Sequence, residues 1–124
     1  MQLLAIALGG ALGALLRHAV TVWSYGVWGA KFPLGTLLVN TVGSFFIGLC
    51  YVLIVEKGLL PQELRLILMT GFFGALTTFS TYSLETLLLW HNGQPYLALA
   101  YLILTLILCL AATGLALWLG FKYF

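Results

Sequence analysis

Four apolar runs, near Leu3 to Ser24, Pro33 to Val55, Leu64 to Trp90 and Tyr96 to Gly120, occupy most of this 124-residue chain. Each is about 20 residues or longer, enough for a helix to cross a hydrocarbon core of about 30 Å. In lipid no water is present to pair with backbone N–H and C=O groups, so each crossing segment must pair its own, as a helix does. The chain is 63% hydrophobic and 6% charged, against roughly half and a quarter in soluble domains. It therefore reads as an all-α integral membrane protein of four transmembrane helices. The whole of residues 1–124 forms one unit, with spans at about 3–24, 33–55, 64–90 and 96–120. Gly, Pro and charge punctuate the intervening loops around Tyr25 to Phe32, Glu56 to Glu63 and His91 to Pro95.

The charges bear on topology. An even number of spans puts both termini on one side with Lys57, Arg65 and Lys122, leaving Arg17 and Lys31 to the other. Basic residues near span ends set orientation, and three against two is a bias weak enough to permit insertion both ways. The first run has no basic segment before it and carries Arg17 late, so it reads as a span rather than a cleavable leader. Cys50 and Cys109 both fall inside apolar runs without a CxxC pairing or a neighbouring His, which supports neither a disulfide framework nor a zinc site. His18 and His91 sit near span ends with no nucleophile or carboxylate at a telling spacing, so no enzyme is expected.

Small and polar residues recur every four positions: Gly9, Gly13 and Arg17; Thr36, Asn40, Ser44 and Gly48; Thr105, Cys109 and Thr113. That spacing places each set on one helix face. Small residues let membrane helices approach closely, so these stripes are packing seams at the least. Asn40 asks for more, because an amide has four hydrogen-bonding positions to satisfy. It can bridge helices or offer its NH2 to an anion.

The densest chemistry lies at Gly71 to Glu85, reading GFFGALTTFSTYSLE, where Thr77, Thr78, Ser80, Thr81, Ser83 and Tyr82 put six hydroxyls into seven residues. An unpaired hydroxyl in hydrocarbon is costly, so such a cluster lines a helix interface, a cavity or an ion path. Gly71, Gly74 and the run of Thr and Ser lower helix propensity in a span too long for one straight crossing. A break is expected between Gly74 and Phe79. Non-helical backbone at membrane depth has carbonyls that protein, water or a cation must satisfy. Phe79 and Tyr82, three apart, follow on one face; the edge of an aromatic ring is positive and suits a small anion.

Gly9, Gly10, Gly13 and Arg17 in the first run, GTLLVN (Gly35 to Asn40) in the second and GFFGALTTFSTYSLE in the third together resemble the Fluc/CrcB fluoride channel family, over the whole chain. The resemblance implies a passive, fluoride-selective channel that lets fluoride leave the cytoplasm and so reduces its toxicity. It implies a bacterial plasma (inner) membrane location and an antiparallel, dual-topology homodimer with two pores and a central structural sodium ion. Gly74 and Thr77 match positions whose backbone carbonyls hold that sodium. Asn40 matches a pore-lining amide and Phe79 the first of two pore phenylalanines, the second being Tyr82 here. Ser80 and Thr81, with Thr105, Cys109 and Thr113, match a polar track along the fluoride path, although Cys109 stands where serine is commoner. Arg17 and Glu85 match family positions, with Arg17 read as drawing anions to a vestibule or anchoring the bundle end.

Fluoride holds its water tightly, so a selective path must replace that shell with many modest donors and no site too strong to leave. A small dual-topology, proton-coupled cation or multidrug exporter is the alternative. It wants a carboxylate in the first helix, where this chain has Arg17, and the only carboxylate inside a span is Glu85. An accessory subunit without transport would leave the hydroxyl cluster and Asn40 without a purpose. No nucleic-acid partner is expected.

Overall fold

The computed structural model describes all 124 residues, Met1–Phe124, and contains helices and no strands. Helix α1 spans Gln2–Trp28 and α2 Leu34–Cys50, which runs on into a π-helical segment, Tyr51–Glu56. A second π-helical segment, Arg65–Phe73, leads into the single turn α3, Gly74–Leu76. After a two-residue interruption come α4, Phe79–His91, and α5, Pro95–Tyr123. Three continuous helical stretches are long and apolar enough to cross a membrane: Gln2–Trp28, Leu34–Glu56 and Pro95–Tyr123. The third sequence run is two shorter pieces laid end to end. The protein is thus a multi-pass membrane protein, all-helical as expected.

Only 21 of the 124 residues are buried, and the exposed faces carry Leu, Ile, Val and Trp. That inversion is what lipid asks of an outer surface, because apolar side chains lose nothing by facing acyl chains. Several span ends differ from the sequence expectation, α5 for one running on to Tyr123. Tyr25 to Trp28, expected in a loop, extend α1 to Gly29, whose φ of 84° ends the helix. Pro95 joins α5 at its first turn, where its missing N–H is no loss.

Small residues set the packing. The expected stripe in α1 faces the first half of the third span: a Cβ on Gly9 would strike the carbonyl oxygen of Ile67, and one on Gly13 that of Phe72. These carbonyls are five residues apart, the hydrogen-bonding interval of a π-helix, so the wider helix presents successive turns of backbone to the glycine face. On the other side of the bundle α2 packs against α5. A Cβ on Gly48 would come within 3.2 Å of Ala116 Cβ and of the Thr113 carbonyl oxygen. Between them, Gly43 of α2 leaves room for the Thr77 side chain, which brings α2 against the interruption in the third span.

Candidate functional site

The interruption is Thr77 and Thr78. Thr77 is extended (φ −83°, ψ 154°), as is Thr78 (φ −152°, ψ 120°), so the break lies inside the expected Gly74 to Phe79 window. The polar side chains around it pair the backbone groups that the break sets loose. Thr77 gives both its backbone N–H (3.1 Å) and its hydroxyl (2.9 Å) to the carbonyl of Phe73. Arg17 Nε donates to the Ala75 carbonyl at 3.2 Å. Asn40 accepts from Thr78 N–H at 2.7 Å and donates through Nδ2 to the Thr78 carbonyl at 3.0 Å. Thr78 in turn caps α4, its Oγ1 accepting from the Thr81 N–H at 3.2 Å.

Among the carbonyls that the break parts from their helical donors, two lose those donors to the side chains just named. In an unbroken helix the Gly74 carbonyl would pair with the Thr78 N–H and the Thr77 carbonyl with the Thr81 N–H. The first donor is taken by Asn40 and the second by Thr78 Oγ1. Gly74 itself is exposed. No cluster of three or more His, Cys, Asp or Glu side chains could hold a metal ion. The donors that remain are hard, neutral carbonyl oxygens, which suit a hard cation.

Beside the break lies a cavity of about 280 Å³ whose lining includes Asn40, Ser44, Thr77, Thr78, Phe79, Tyr82, Thr105 and Cys109. Five of the expected pore residues, Asn40, Phe79, Tyr82, Thr105 and Cys109, therefore meet in one place. Asn40 spends its oxygen and one amide hydrogen on Thr78, leaving a second N–H. Thr105 is only 4% exposed, and its hydroxyl is buried with no hydrogen-bond partner in the chain. Tyr82 is buried, and its hydroxyl donates to the Leu102 carbonyl of α5 at 2.7 Å, which fixes the ring against that helix. Phe79 meets the Tyr82 ring edge-on at 5.6 Å and is itself 74% exposed.

The other expected site residues lie outside the cavity lining. Ser80 is exposed and within 3.3 Å of Thr78 Oγ1, while the Thr81 hydroxyl accepts from Thr78 Oγ1 at 3.2 Å. Thr113 donates its hydroxyl to the Ser44 carbonyl at 3.0 Å, so it fastens α5 to α2. Arg17 sits at the break, away from the bundle end. Glu85 lines a different cavity, of about 200 Å³, with Tyr25, Pro33 and Asn92, and accepts from the Tyr101 hydroxyl at 3.1 Å.

Sequence reasoning passed over two residues here. Tyr101 is fully buried, stacks edge-on with Tyr82 (5.2 Å) and Phe32 (5.5 Å), and so links the two cavities through a row of rings. Its position four residues before Thr105 continues the α5 stripe and was a usable signal. Thr41 places its hydroxyl 4.0 Å from Cys109 Sγ, which no pattern in the chain announces.

The sequence matches the family described as CrcB-like protein, Camphor Resistance (CrcB), over residues 4–121. The chain belongs to the CrcB family. Among similar CrcB relatives, a protein of Hahella chejuensis is 51% identical over 113 residues, covering 91% of this chain and 89% of its own. One from Saccharophagus degradans is 47% identical over 114 residues, covering 91% and 84%. One from Geobacter metallireducens is 46% identical over 120 residues, covering 97% and 94%. All three relatives carry the name fluoride-specific ion channel FluC.

Proposed function

We propose that this CrcB protein is a fluoride channel, a passive path rather than an enzyme, through which fluoride leaves the cytoplasm down its gradient. The observation that carries the reading is the cavity at the break, where uncommitted donors meet ring edges. Fluoride, a small hard anion, needs several donors in place of its water and must still be able to leave. The Thr105 hydroxyl and the remaining Asn40 N–H offer two such donors, the edges of Phe79 and Tyr82 add weaker ones, and no cation lines the cavity to trap the ion. The names of the relatives point the same way.

The functional unit in this reading is an antiparallel, dual-topology homodimer with two pores in a bacterial inner membrane. Two features of the single chain support it. Phe79 is the large ring of the site and yet lies mostly uncovered, and Gly74, at the break, is exposed. A second copy would cover both. Carbonyls of Gly74 and Thr77 from the two chains would hold a sodium ion, whose positive charge would lower the cost of an anion in low dielectric. Residues 1–124 then act as a single channel domain, with Ser80, Thr81, Cys109 and Thr113 along the path, Arg17 at the break and Glu85 toward one end.

The deciding experiment is efflux from liposomes reconstituted with the purified protein, read with a fluoride electrode and repeated for chloride under the same gradient. Fast fluoride loss without chloride loss is expected. No fluoride loss from a folded dimer would discard the channel and direct attention to proton-coupled cation export at Glu85. Assembly and conduction that persist in rigorously sodium-free buffer would remove the structural ion.

A further inference from the structure

The far end of the bundle carries a feature that ion conduction does not use. There α5 ends against the π-helical end of the second span, because Gly120 lets Val52 come in close; a Cβ at that glycine would meet Val52 Cγ1 at 2.8 Å. Lys57 follows directly, its N–H bonded to the Val52 carbonyl, and Gly58 (φ 61°) turns the chain away. Its ammonium lies 5.8 Å from the centre of the Phe121 ring. The ammonium of Lys122 lies 4.6 Å from the Trp118 ring and 5.3 Å from the Tyr123 ring. Trp118 and Phe121 are three residues apart on α5 and so share a face. Both rings are half exposed. Two lysines from different spans therefore flank one aromatic shelf at a membrane boundary.

Both ammonium groups rest on rings rather than on carboxylates. The nearest acid in sequence, Glu56, accepts from the Tyr51 hydroxyl at 2.6 Å instead. An ammonium has three N–H donors, and a ring engages only one side of it. At the edge of an apolar span the acceptor at hand is a lipid phosphate, with Trp and Tyr seated at headgroup level beside it. A choline headgroup would bring a third cation to the same rings, in competition with the lysines. A net negative headgroup brings none.

We propose that Lys57, Lys122, Trp118 and Phe121 form a binding site for the headgroup of an anionic phospholipid. The lysines hold its phosphate, and the two rings pack on the glycerol and the first methylenes. The site is independent of the fluoride path. In the antiparallel pair described above, each leaflet would receive one copy.

Native mass spectrometry of the purified protein, titrated with phosphatidylglycerol or phosphatidylcholine, tests this directly. Phosphatidylglycerol adducts are expected to survive at collision energies that strip phosphatidylcholine. Lysines near an anionic surface contribute roughly a fivefold effect each, so Lys57→Gln with Lys122→Gln is expected to abolish most of the preference. The corresponding Lys→Arg pair keeps charge and ring contact and is expected to retain it. Lys31→Gln, in the loop between α1 and α2, is expected to leave it untouched. Equal retention of the two lipids, or a preference that survives in the Gln pair, would overturn the proposal. So would displacement of phosphatidylglycerol by millimolar inorganic phosphate, which would mark a site for free anions instead.

Discussion

Asn40 and Thr78, 38 residues apart in sequence, hold each other through two hydrogen bonds, amide to carbonyl and N–H to amide oxygen. The side chain of α2 thereby stands in for the helical partners that the broken third span cannot supply. Asn40→Leu keeps much of the volume and orphans both Thr78 groups, each at a cost of about 1–3 kcal/mol when buried. A variant with a lower melting temperature in detergent and no fluoride efflux is the expected result. Normal melting and normal efflux would mean that the break holds itself without Asn40.

How much of this was readable beforehand follows from which forces act locally. Gly74 and the Thr and Ser run of 77–83 weaken a helix through their own backbone and side-chain chemistry, so the break was legible from those residues alone. The stripes of α1, α2 and α5 were legible because seams repeat at helical spacing. The partner of Asn40 was not legible, since an amide announces a need for hydrogen bonds but not where they go. Nor was the π-helical register of Arg65–Phe73, which matches backbone of one span to glycines of another and has no local code. The Tyr82 hydroxyl, one of the six in the sequence cluster, is committed to Leu102 by a contact between elements.

The glycine seam gives a paired prediction. A Cβ at Gly13 would strike the backbone of Phe72, and backbone within a packed helix has little room to yield, whereas nothing lies within 4 Å of one at Gly114. Gly13→Ala is expected to separate α1 from the third span and fail to give a monodisperse protein on size-exclusion chromatography. Gly114→Ala is expected to express and elute normally, with a small gain in stability of about 1 kcal/mol or less from helix propensity. Equal behaviour of the two would show that the close approach of α1 is not a constraint.

Tyr82 holds its ring through the hydroxyl bond to Leu102 as well as through edge contacts with Phe79 and Tyr101. Tyr82→Phe removes only the first. The ring edge stays in the cavity, so fluoride efflux should persist, while the lost hydrogen bond lowers stability by about 0.5–1.5 kcal/mol. Loss of efflux in a well-folded Tyr82→Phe protein would give the hydroxyl itself a part in conduction.

Phe79 separates stability from transport in the opposite sense. Because it is mostly exposed, its removal takes little from the fold of one chain. Phe79→Ile is expected to leave the circular dichroism spectrum of the protein nearly unchanged and to abolish fluoride efflux. Unchanged flux would take the ring out of the path.

Thr105 provides the sharpest test of the cavity, because its two possible roles predict different combinations of outcomes. Its buried hydroxyl has no partner within the chain, and such a group carries an uncompensated desolvation cost of about 1–3 kcal/mol. If packing were its only purpose, Thr105→Val, which swaps the hydroxyl for a methyl group of similar shape, would stabilise the protein and leave conduction alone. If the hydroxyl serves a passing anion, the same substitution still raises or preserves the melting temperature but removes one donor from the path. A hydrogen bond to a charged group is worth about 1.5 kcal/mol or more, so a fall of roughly tenfold in fluoride efflux is expected. Thr105→Ser restores a hydroxyl at the same place and should recover most of the flux at some loss of packing. A stabilised Thr105→Val protein with undiminished efflux would remove Thr105 from the pathway and shift the donor role onto Asn40 and the rings.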